Sequence, residues 1–313
     1  MEYILLIVGF VLIIVSSEIL VDSASSIAIN FKLPKSLIAL TIVAFGTCAP
    51  ELAISFNSIM GDNGDVALAN VIGSCIINIV LVLGIAAIFK PIRIKSVTLK
   101  KELPILLITT IVFAVLLING MVKDVPRLDR VDGIALLVTF ILFCMYIYDI
   151  VKNKSKKEND DKPKYNIIMA FFLLFGSLAL IMLSSEIIVE NAIRVAMDLN
   201  ISEKVITMFA IVIGTSLPEL VMTATSARKG EFSFALGNII GTNIFNVCIV
   251  LGLPLVLFDG ISIVNFNIVD IAVIILAAII LYSFSKSDKL LSRREGICMI
   301  LIFVSYYLYI LMV

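Results

Sequence analysis

The chain has 313 residues, of which 61% are hydrophobic and only 15% are charged, with a mean hydropathy of +1.13 and a formal net charge of zero. Soluble domains carry about 25% charged residues, so this composition excludes a soluble globular protein and a basic nucleic-acid-binding domain. Because histidine is absent and none of the five cysteines forms a CxxC pair, a Cys/His zinc site is also excluded. We expect each cysteine to be a small buried residue in an apolar helix.

Ten apolar segments are long enough to cross a membrane, and we expect the first to be a retained span because it lacks a basic start and a cleavage site. They cover residues 3–29, 36–60, 65–89, 102–120, 132–151, 166–189, 203–227, 232–257, 264–284 and 296–312. The longest polar connector, 152–164, is too short for a folded domain. The pattern predicts an all-α polytopic membrane protein with ten transmembrane helices.

Lysine and arginine are distributed unevenly between the connectors. If the amino terminus lies outside, 19 of the 24 Lys and Arg residues face the cytoplasm. Since short cytoplasmic loops carry an excess of basic residues, we expect both termini outside the cell and the 152–164 linker in the cytoplasm.

Three pairs of segments are similar at one constant offset of 168 residues, which indicates an internal duplication. The pairs are 16–28 with 184–196 (7 of 13 identical), 44–55 with 212–223, and 69–84 with 237–252 (8 of 16 identical). The predicted organisation is a five-helix repeat at 1–151, the linker at 152–164 and a second five-helix repeat at 165–313. Because five is odd, the second repeat enters the membrane from the opposite side. Such inverted repeats are typical of secondary transporters, whose substrate site lies near the membrane midplane.

The first repeated motif places a helix breaker beside a carboxylate inside an apolar span. In VAFGTCAPEL, residues 43–52, Gly46 and Pro50 favour local unwinding and Glu51 adds a charge. Unpaired carbonyls at membrane depth are tolerated only within protein or along a polar cavity. We therefore expect a cluster of hard oxygen ligands from two backbone carbonyls and one carboxylate in each copy: Ala44, Thr47 and Glu51, then Val212, Thr215 and Glu219.

Two glutamates facing one another in a low-dielectric core repel, so they require cations or protons between them. A Ca²⁺ ion cancels both charges and accepts a flexible shell of oxygen ligands, whereas Mg²⁺ demands a tight octahedron. The second repeated motif adds neutral ligands suited to Na⁺ or to a bridging water. It places Ser74 and Asn78 on one helical face, and Thr242 and Asn246 on another.

The motif pairs GTCAPEL with GSCIIN and GTSLPEL with GTNIFN resemble the two α-repeats of the sodium/calcium exchanger family, within the calcium/cation antiporter superfamily, and the compact prokaryotic members above all. The resemblance covers the whole chain. It implies an electrogenic antiporter that exchanges Na⁺ for Ca²⁺ by alternating access. It also implies a monomer in the cell membrane, with no enzymatic activity and no resident cofactor.

The resemblance further implies a role for each motif residue. Glu51 and Glu219 are expected to bind Ca²⁺ and, in turn, Na⁺. The backbone carbonyls of Thr47 and Thr215 are expected to assist them as ligands. Flanking Na⁺ sites are expected at Ala44, Cys48 and Ser74 in the first half and at Val212, Ser216 and Thr242 in the second. The amides of Asn78 and Asn246 are expected to line the centre.

Two departures from the family pattern stand out. Cys48 replaces a serine, and a thiol is a poor Na⁺ ligand, so one Na⁺ site is expected to be weakened. Asn246 occupies a position where some prokaryotic members and the potassium-dependent branch carry Asp, so we expect no K⁺ requirement and no protonation at the centre.

The sequence leaves a second antiporter function open, and a channel or an enzyme is the alternative from another class. A proton/Ca²⁺ antiporter of the same superfamily is compatible with it, because Glu51 and Glu219 could bind protons. A passive cation channel needs no inverted halves, and a membrane enzyme would need a nucleophile–base pair or a His-ligated metal, which the chain lacks.

Overall fold

The computed structural model describes residues 2–61, 63–152, 162–198, 203–263 and 268–312, with side chains described throughout these ranges except at 203–213. The helices are α1 (Glu2–Asn30), α2 (Lys35–Ile38), α3 (Ala44–Thr47), α4 (Ala49–Met60), α5 (Gly64–Ile76), α6 (Leu83–Phe89), α7 (Leu103–Met121), α8 (Arg130–Lys152), α9 (Ile167–Asp198), α10 (Glu203–Lys229), α11 (Phe232–Phe245), α12 (Gly252–Leu257), α13 (Ile268–Ser287) and α14 (Arg293–Met312). Most of the predicted linker, 153–161, lies outside the described residues.

Four short π-helical segments directly adjoin α-helices in the chain. They are Ala39–Val43, Ile77–Val82, Thr98–Glu102 and Asn246–Leu251. Within the described residues, eight helical spans are long and apolar enough to cross a membrane, and the bent pair Lys35–Thr47 and Ala49–Met60 makes a ninth. The one remaining predicted segment, 203–227, coincides with α10, so the all-α architecture is confirmed while the count of ten stays a prediction.

The bundle carries apolar side chains on its outside and many polar ones inside. Ile4, Val11 and Phe172 are each more than half exposed, whereas Ser17 and Asn78 are fully buried. An apolar exterior of this extent requires a hydrocarbon environment. The expectation that every cysteine is buried is wrong for two of them: Cys144 and Cys298 are exposed on this exterior, while the other three lie inside.

Helix α1 packs along the length of α9 and is tied to the end of α10 by polar contacts. Glu18 pairs with Arg228, and Asp22 pairs with Lys229. The hydroxyls of Ser17 and Thr225 lie 2.8 Å apart one turn away. Gly230, at φ +81°, then ends α10 in the left-handed conformation that a helix-terminating glycine adopts without a side-chain clash.

The two predicted halves are interlocked, because the last helix of each packs against a helix of the other. Helix α14 packs on α6, and α8 packs on α12. Two small antiparallel ladders repeat this exchange: β1 (Ile92–Arg93) pairs with β4 (Leu290–Leu291), and β2 (Arg127–Leu128) pairs with β3 (Ile261–Ser262). The π-helical segments Ile77–Val82 and Asn246–Leu251, most of whose residues are buried, lie in the part of the bundle that these helices contact.

Glycine makes the closest of these helix crossings possible. A Cβ atom added to Gly296 would lie 2.6 Å from the carbonyl oxygen of Gly84, and one added to Gly84 would lie 3.0 Å from that of Gly296. Small residues at such crossings let the two backbones approach, which strengthens packing where the hydrophobic effect contributes little.

We predict that Gly296→Leu destabilises the fold, because the backbone of α6 leaves no room for a side chain. Overpacking of this kind costs about 1–3 kcal/mol, which lowers a thermal midpoint by several degrees. The midpoint is measured in detergent by fluorescence-detected size-exclusion chromatography. Gly176→Leu is the matched control, since nothing lies within 4 Å of a Cβ added there; equal shifts for the two variants would contradict the assignment.

Candidate cation-binding site

The first motif forms a sharp helix bend. Helices α3 and α4 meet at Cys48, where the span Lys35–Thr47 and the span Ala49–Met60 make an angle of 43°. Pro50 lies in the first turn of α4, where a missing N–H is tolerated. The second motif behaves differently, because α10 continues through Pro218 as one helix. The expected opening of the helix is therefore a one-residue bend in the first copy and is absent from the second.

The two glutamates lie in the interior of the bundle, close enough to repel one another electrostatically. Both are 0% exposed, and none of their four carboxylate oxygens has a hydrogen-bond partner. The Thr215 side chain faces Glu51, and the Thr47 side chain faces Glu219, so each carboxylate meets the opposite motif. A buried carboxylate pair without hydrogen bonds is strongly unfavourable unless a cation or protons compensate the charge.

Hydroxyl groups around the glutamates are also left without partners. The hydroxyl oxygens of Ser74, Ser216 and Thr242 are buried and accept or donate no hydrogen bond. Several other buried hydroxyls in the bundle bond a carbonyl of their own helix, as Thr110 does to Leu106 at 2.9 Å. The hydroxyls of Ser74, Ser216 and Thr242 make no such bond, so they are available to a ligand.

The amides of the second motif lie at the same centre. Both side-chain polar atoms of Asn246 and the Oδ1 atom of Asn78 are buried and unpartnered. Asn78 donates to Oδ1 of Asn243 at 3.3 Å, and Asn243 in turn donates to the carbonyl of Cys75 at 3.4 Å. Positions 75 and 243, which are 168 residues apart, therefore touch across the centre.

Three predicted ligands have more limited support. The Cys48 thiol points to the carbonyl of Thr242 at 3.7 Å, so it contacts the opposite motif directly. The carbonyl of Ala44 already accepts the N–H of Cys48 at 3.1 Å and the Thr47 hydroxyl at 3.2 Å. Val212 belongs to α10, and its side chain lies outside the described residues.

Sequence reasoning missed four polar residues that adjoin the glutamates. Ser55 and Thr223 lie one helical turn after Glu51 and Glu219, and their hydroxyls are buried without a partner. Asn70 and Asn238 are buried on α5 and α11. All four lie in the repeated segments and form two pairs 168 residues apart. This recurrence of polar residues is the sequence signal that could have identified them.

The arrangement supplies two carboxylates, five hydroxyls without partners and the amides of Asn78 and Asn246, all of which offer hard oxygen donors. The thiol of Cys48 is the soft group next to them. Such donors suit Na⁺ and Ca²⁺ and disfavour softer transition metals. No side chain here acts as an activated nucleophile, because the hydroxyls have no base within hydrogen-bonding distance among the described residues. The chemistry that this geometry supports is reversible cation binding.

Comparisons with known proteins show the family to which the chain is similar. The family model described as sodium/calcium exchanger protein matches residues 1–148 and 169–312. The chain belongs to the sodium/calcium exchanger family. It is 37% identical to the inner membrane protein YrbG of Escherichia coli over 82% of this chain and 80% of the relative, and 28% identical to the sodium/calcium exchanger MaX1 of Methanosarcina acetivorans over 97% of both.

A solved structure is similar over nearly the entire exchanger. The sodium-calcium exchanger NCX_Mj soaked with Na⁺ and no Ca²⁺ superimposes with a TM-score of 0.82 at 31% identity, covering 97% of this chain and 96% of that chain. The exchanger is thus a transmembrane cation/Ca²⁺ antiporter, and the resemblance to the compact prokaryotic members is confirmed.

The unpartnered hydroxyl of Thr242 provides a test of the site. We predict that Thr242→Val lowers Ca²⁺ transport by the exchanger while leaving its thermal midpoint unchanged or raised, because a buried hydroxyl without a partner costs about 1–3 kcal/mol. Transport in proteoliposomes and the midpoint in detergent are measured on the same preparation. The control Thr110→Val removes a bonded hydroxyl away from the site and should lower only stability. Full transport by Thr242→Val would remove this residue from the site.

Proposed function

We propose that the exchanger moves Ca²⁺ in one direction against Na⁺ in the other, with Glu51 and Glu219 as the charge that both ions share in turn. The observation that carries this proposal is the pair of buried carboxylates without hydrogen-bond partners. When ionised, they carry together a charge equal in magnitude and opposite in sign to that of one Ca²⁺ ion, so binding that ion offsets the repulsion between them. Backbone and hydroxyl oxygens then complete the flexible coordination that Ca²⁺ accepts.

Na⁺ is the coupling ion that the remaining donors favour. The free hydroxyls of Ser74, Ser216 and Thr242 are neutral and hard, which suits a monovalent metal ion beside a carboxylate. Protons would need only the two carboxylates and would leave these hydroxyls without a role. The names of MaX1 and NCX_Mj, each a sodium/calcium exchanger, support the same choice.

The transport cycle follows from a site that both halves supply. Each carboxylate faces a threonine of the other motif, so a movement of the motif helices inside the bundle would open the site to one side and close it to the other. The cycle exposes the site alternately, moves net charge, and needs neither a resident cofactor nor an enzymatic step. We place both termini outside the cell membrane and the 152–164 linker in the cytoplasm, with the monomer as the working unit.

Gradient-driven uptake distinguishes Na⁺ from H⁺ as the coupling ion. Proteoliposomes loaded with Na⁺ and diluted into Na⁺-free buffer are expected to accumulate ⁴⁵Ca²⁺, and a K⁺ diffusion potential should change the rate if net charge moves. A pH gradient without Na⁺ should drive none. Glu51→Gln and Glu219→Gln should abolish uptake, because each leaves the Ca²⁺ charge half compensated. Uptake that follows the pH gradient and ignores Na⁺ would replace this proposal with a proton/Ca²⁺ antiporter.

Cys48 is expected to weaken one Na⁺ site, because its sulfur is a soft ligand and already contacts the Thr242 carbonyl. We predict that Cys48→Ser lowers the Na⁺ concentration needed for half-maximal Ca²⁺ efflux by several-fold, while the apparent Ca²⁺ affinity changes less. Efflux is measured against a Na⁺ titration in proteoliposomes. Cys144→Ser, on the exposed exterior, serves as the control. An unchanged Na⁺ dependence in Cys48→Ser would show that this position is not a Na⁺ ligand.

A further inference from the structure

Two buried asparagines next to the site differ in their bonding although they occupy equivalent positions of the repeated segments. Asn70 and Asn238 are 168 residues apart and are 2% and 0% exposed. Neither belongs to the ligand set proposed above. Their side chains therefore require a separate explanation, since buried amides are normally hydrogen-bonded.

Asn70 holds the backbone that carries Glu51. Its Nδ2 atom donates to the Glu51 carbonyl oxygen at 3.1 Å, from α5 across to the first turn of α4. This bond lies three residues after the bend at Cys48. It therefore fixes the part of α4 whose direction depends on that bend.

Asn238 makes no corresponding bond. Neither its Nδ2 nor its Oδ1 atom has a hydrogen-bond partner, although the residue is completely buried. The Glu219 carbonyl stands at the position equivalent to the Glu51 carbonyl, in a helix that runs unbroken through Pro218. The bonded amide thus accompanies the copy that is broken and bent at Cys48, and the unbonded amide accompanies the copy whose helix is continuous.

We propose that Asn70 and Asn238 are positioning residues that hold the Glu51 and Glu219 backbones in alternation during the transport cycle. In the state described here Asn70 holds α4 bent. In the oppositely facing state Asn238 donates to the Glu219 carbonyl and bends α10, while Asn70 releases Glu51. This inference rests on the proposed alternating exposure of the site, but not on the identity of the coupling ion.

Asn70 and Asn238 stand at equivalent positions of the repeat but differ in bonding, and this difference supports the proposal that they exchange roles. A purely structural asparagine would be bonded in both copies, because its neighbours recur: Asn-x-x-Gly follows each motif at the same distance. An unbonded buried amide destabilises the state that contains it. That cost is retained only if another state of the cycle uses the donor.

Leucine replacements separate the two asparagines, because leucine is close to asparagine in size and has no polar group. In the state described here, Asn70→Leu removes a bond and Asn238→Leu removes an unsatisfied amide. We therefore expect the thermal midpoint to fall in Asn70→Leu and to rise in Asn238→Leu. Ca²⁺/Ca²⁺ self-exchange should fall about tenfold in both, the factor for about 1.4 kcal/mol in a barrier. Equilibrium ⁴⁵Ca²⁺ binding should change much less.

Hydrogen–deuterium exchange reports the direction of the effect. Backbone amides of 49–60 should exchange faster in Asn70→Leu and slower or unchanged in Asn238→Leu, with the opposite pattern for 217–228. Asn191→Leu is the matched control, because that buried amide donates to Ile187 of its own helix at 2.7 Å and should leave self-exchange unaffected. If Asn70→Leu does not fold, Asn238→Leu alone tests the inference.

Shifts of the same sign in both variants, or an Asn238→Leu protein that is stabilised yet exchanges at the normal rate, would overturn the inference. Self-exchange needs neither Na⁺ nor a pH gradient. A failure of Na⁺ coupling in the function proposed above would therefore leave these measurements interpretable.

Discussion

Two carboxylates enclosed in an apolar bundle without a hydrogen bond are the constraint on which the rest of the molecule depends. Glu51 and Glu219 are completely buried, none of their carboxylate oxygens has a hydrogen-bond partner, and a threonine of the opposite motif faces each of them. Inside a protein such a pair persists only where a counter-charge arrives regularly. A ligand role also accounts for the buried hydroxyls without partners, because their oxygen lone pairs can replace part of the hydration shell of an ion.

The surrounding packing keeps these groups apart from both lipid and water. The last helix of each half lies on the other half, with Gly84 against Gly296 and Gly133 against Gly252, and the short β-ladders join the same partners at the bundle ends. This interlocking gives a rigid frame, because separating the halves would break four contacts at once. The motif helices inside the frame contain the bend at Cys48 and three of the four π-helical segments, and such irregular turns are frequent at functional sites.

Much of the site could be predicted from the sequence, because charge and helix breakers inside apolar spans have few explanations. Glu51 and Glu219 meet as the repeat required, and the free hydroxyls of Ser74 and Thr242 lie beside them. The crossed packing of α8 and α14 could not be predicted, since it depends on glycine contacts between distant segments. The role of Asn70 could not be predicted for a different reason. Its recurrence as Asn238 shows a repeated amide, but the sequence does not show that this amide donates to the backbone carbonyl of Glu51 on the neighbouring helix. The identical Pro-Glu step in both motifs also gave no reason to expect that the helix is broken in one copy and continuous in the other.

The differences between the halves are of two kinds, and the structure separates them. Cys48 opposite Ser216, and Cys75 opposite Asn243, differ in chemistry and therefore persist in every state of the cycle. The sulfur of Cys48 contacts the Thr242 carbonyl, whereas the Ser216 hydroxyl is free, so the two flanking positions offer ions unequal ligands permanently. Asn70 and Asn238, and the Pro-Glu steps beside them, are identical in sequence but differ in bonding and bend. Only differences of this second kind can be exchanged between the halves. Under the alternating exposure proposed above, the chemical differences remain when the conformation is inverted, so the site offers ions different ligands in the two orientations.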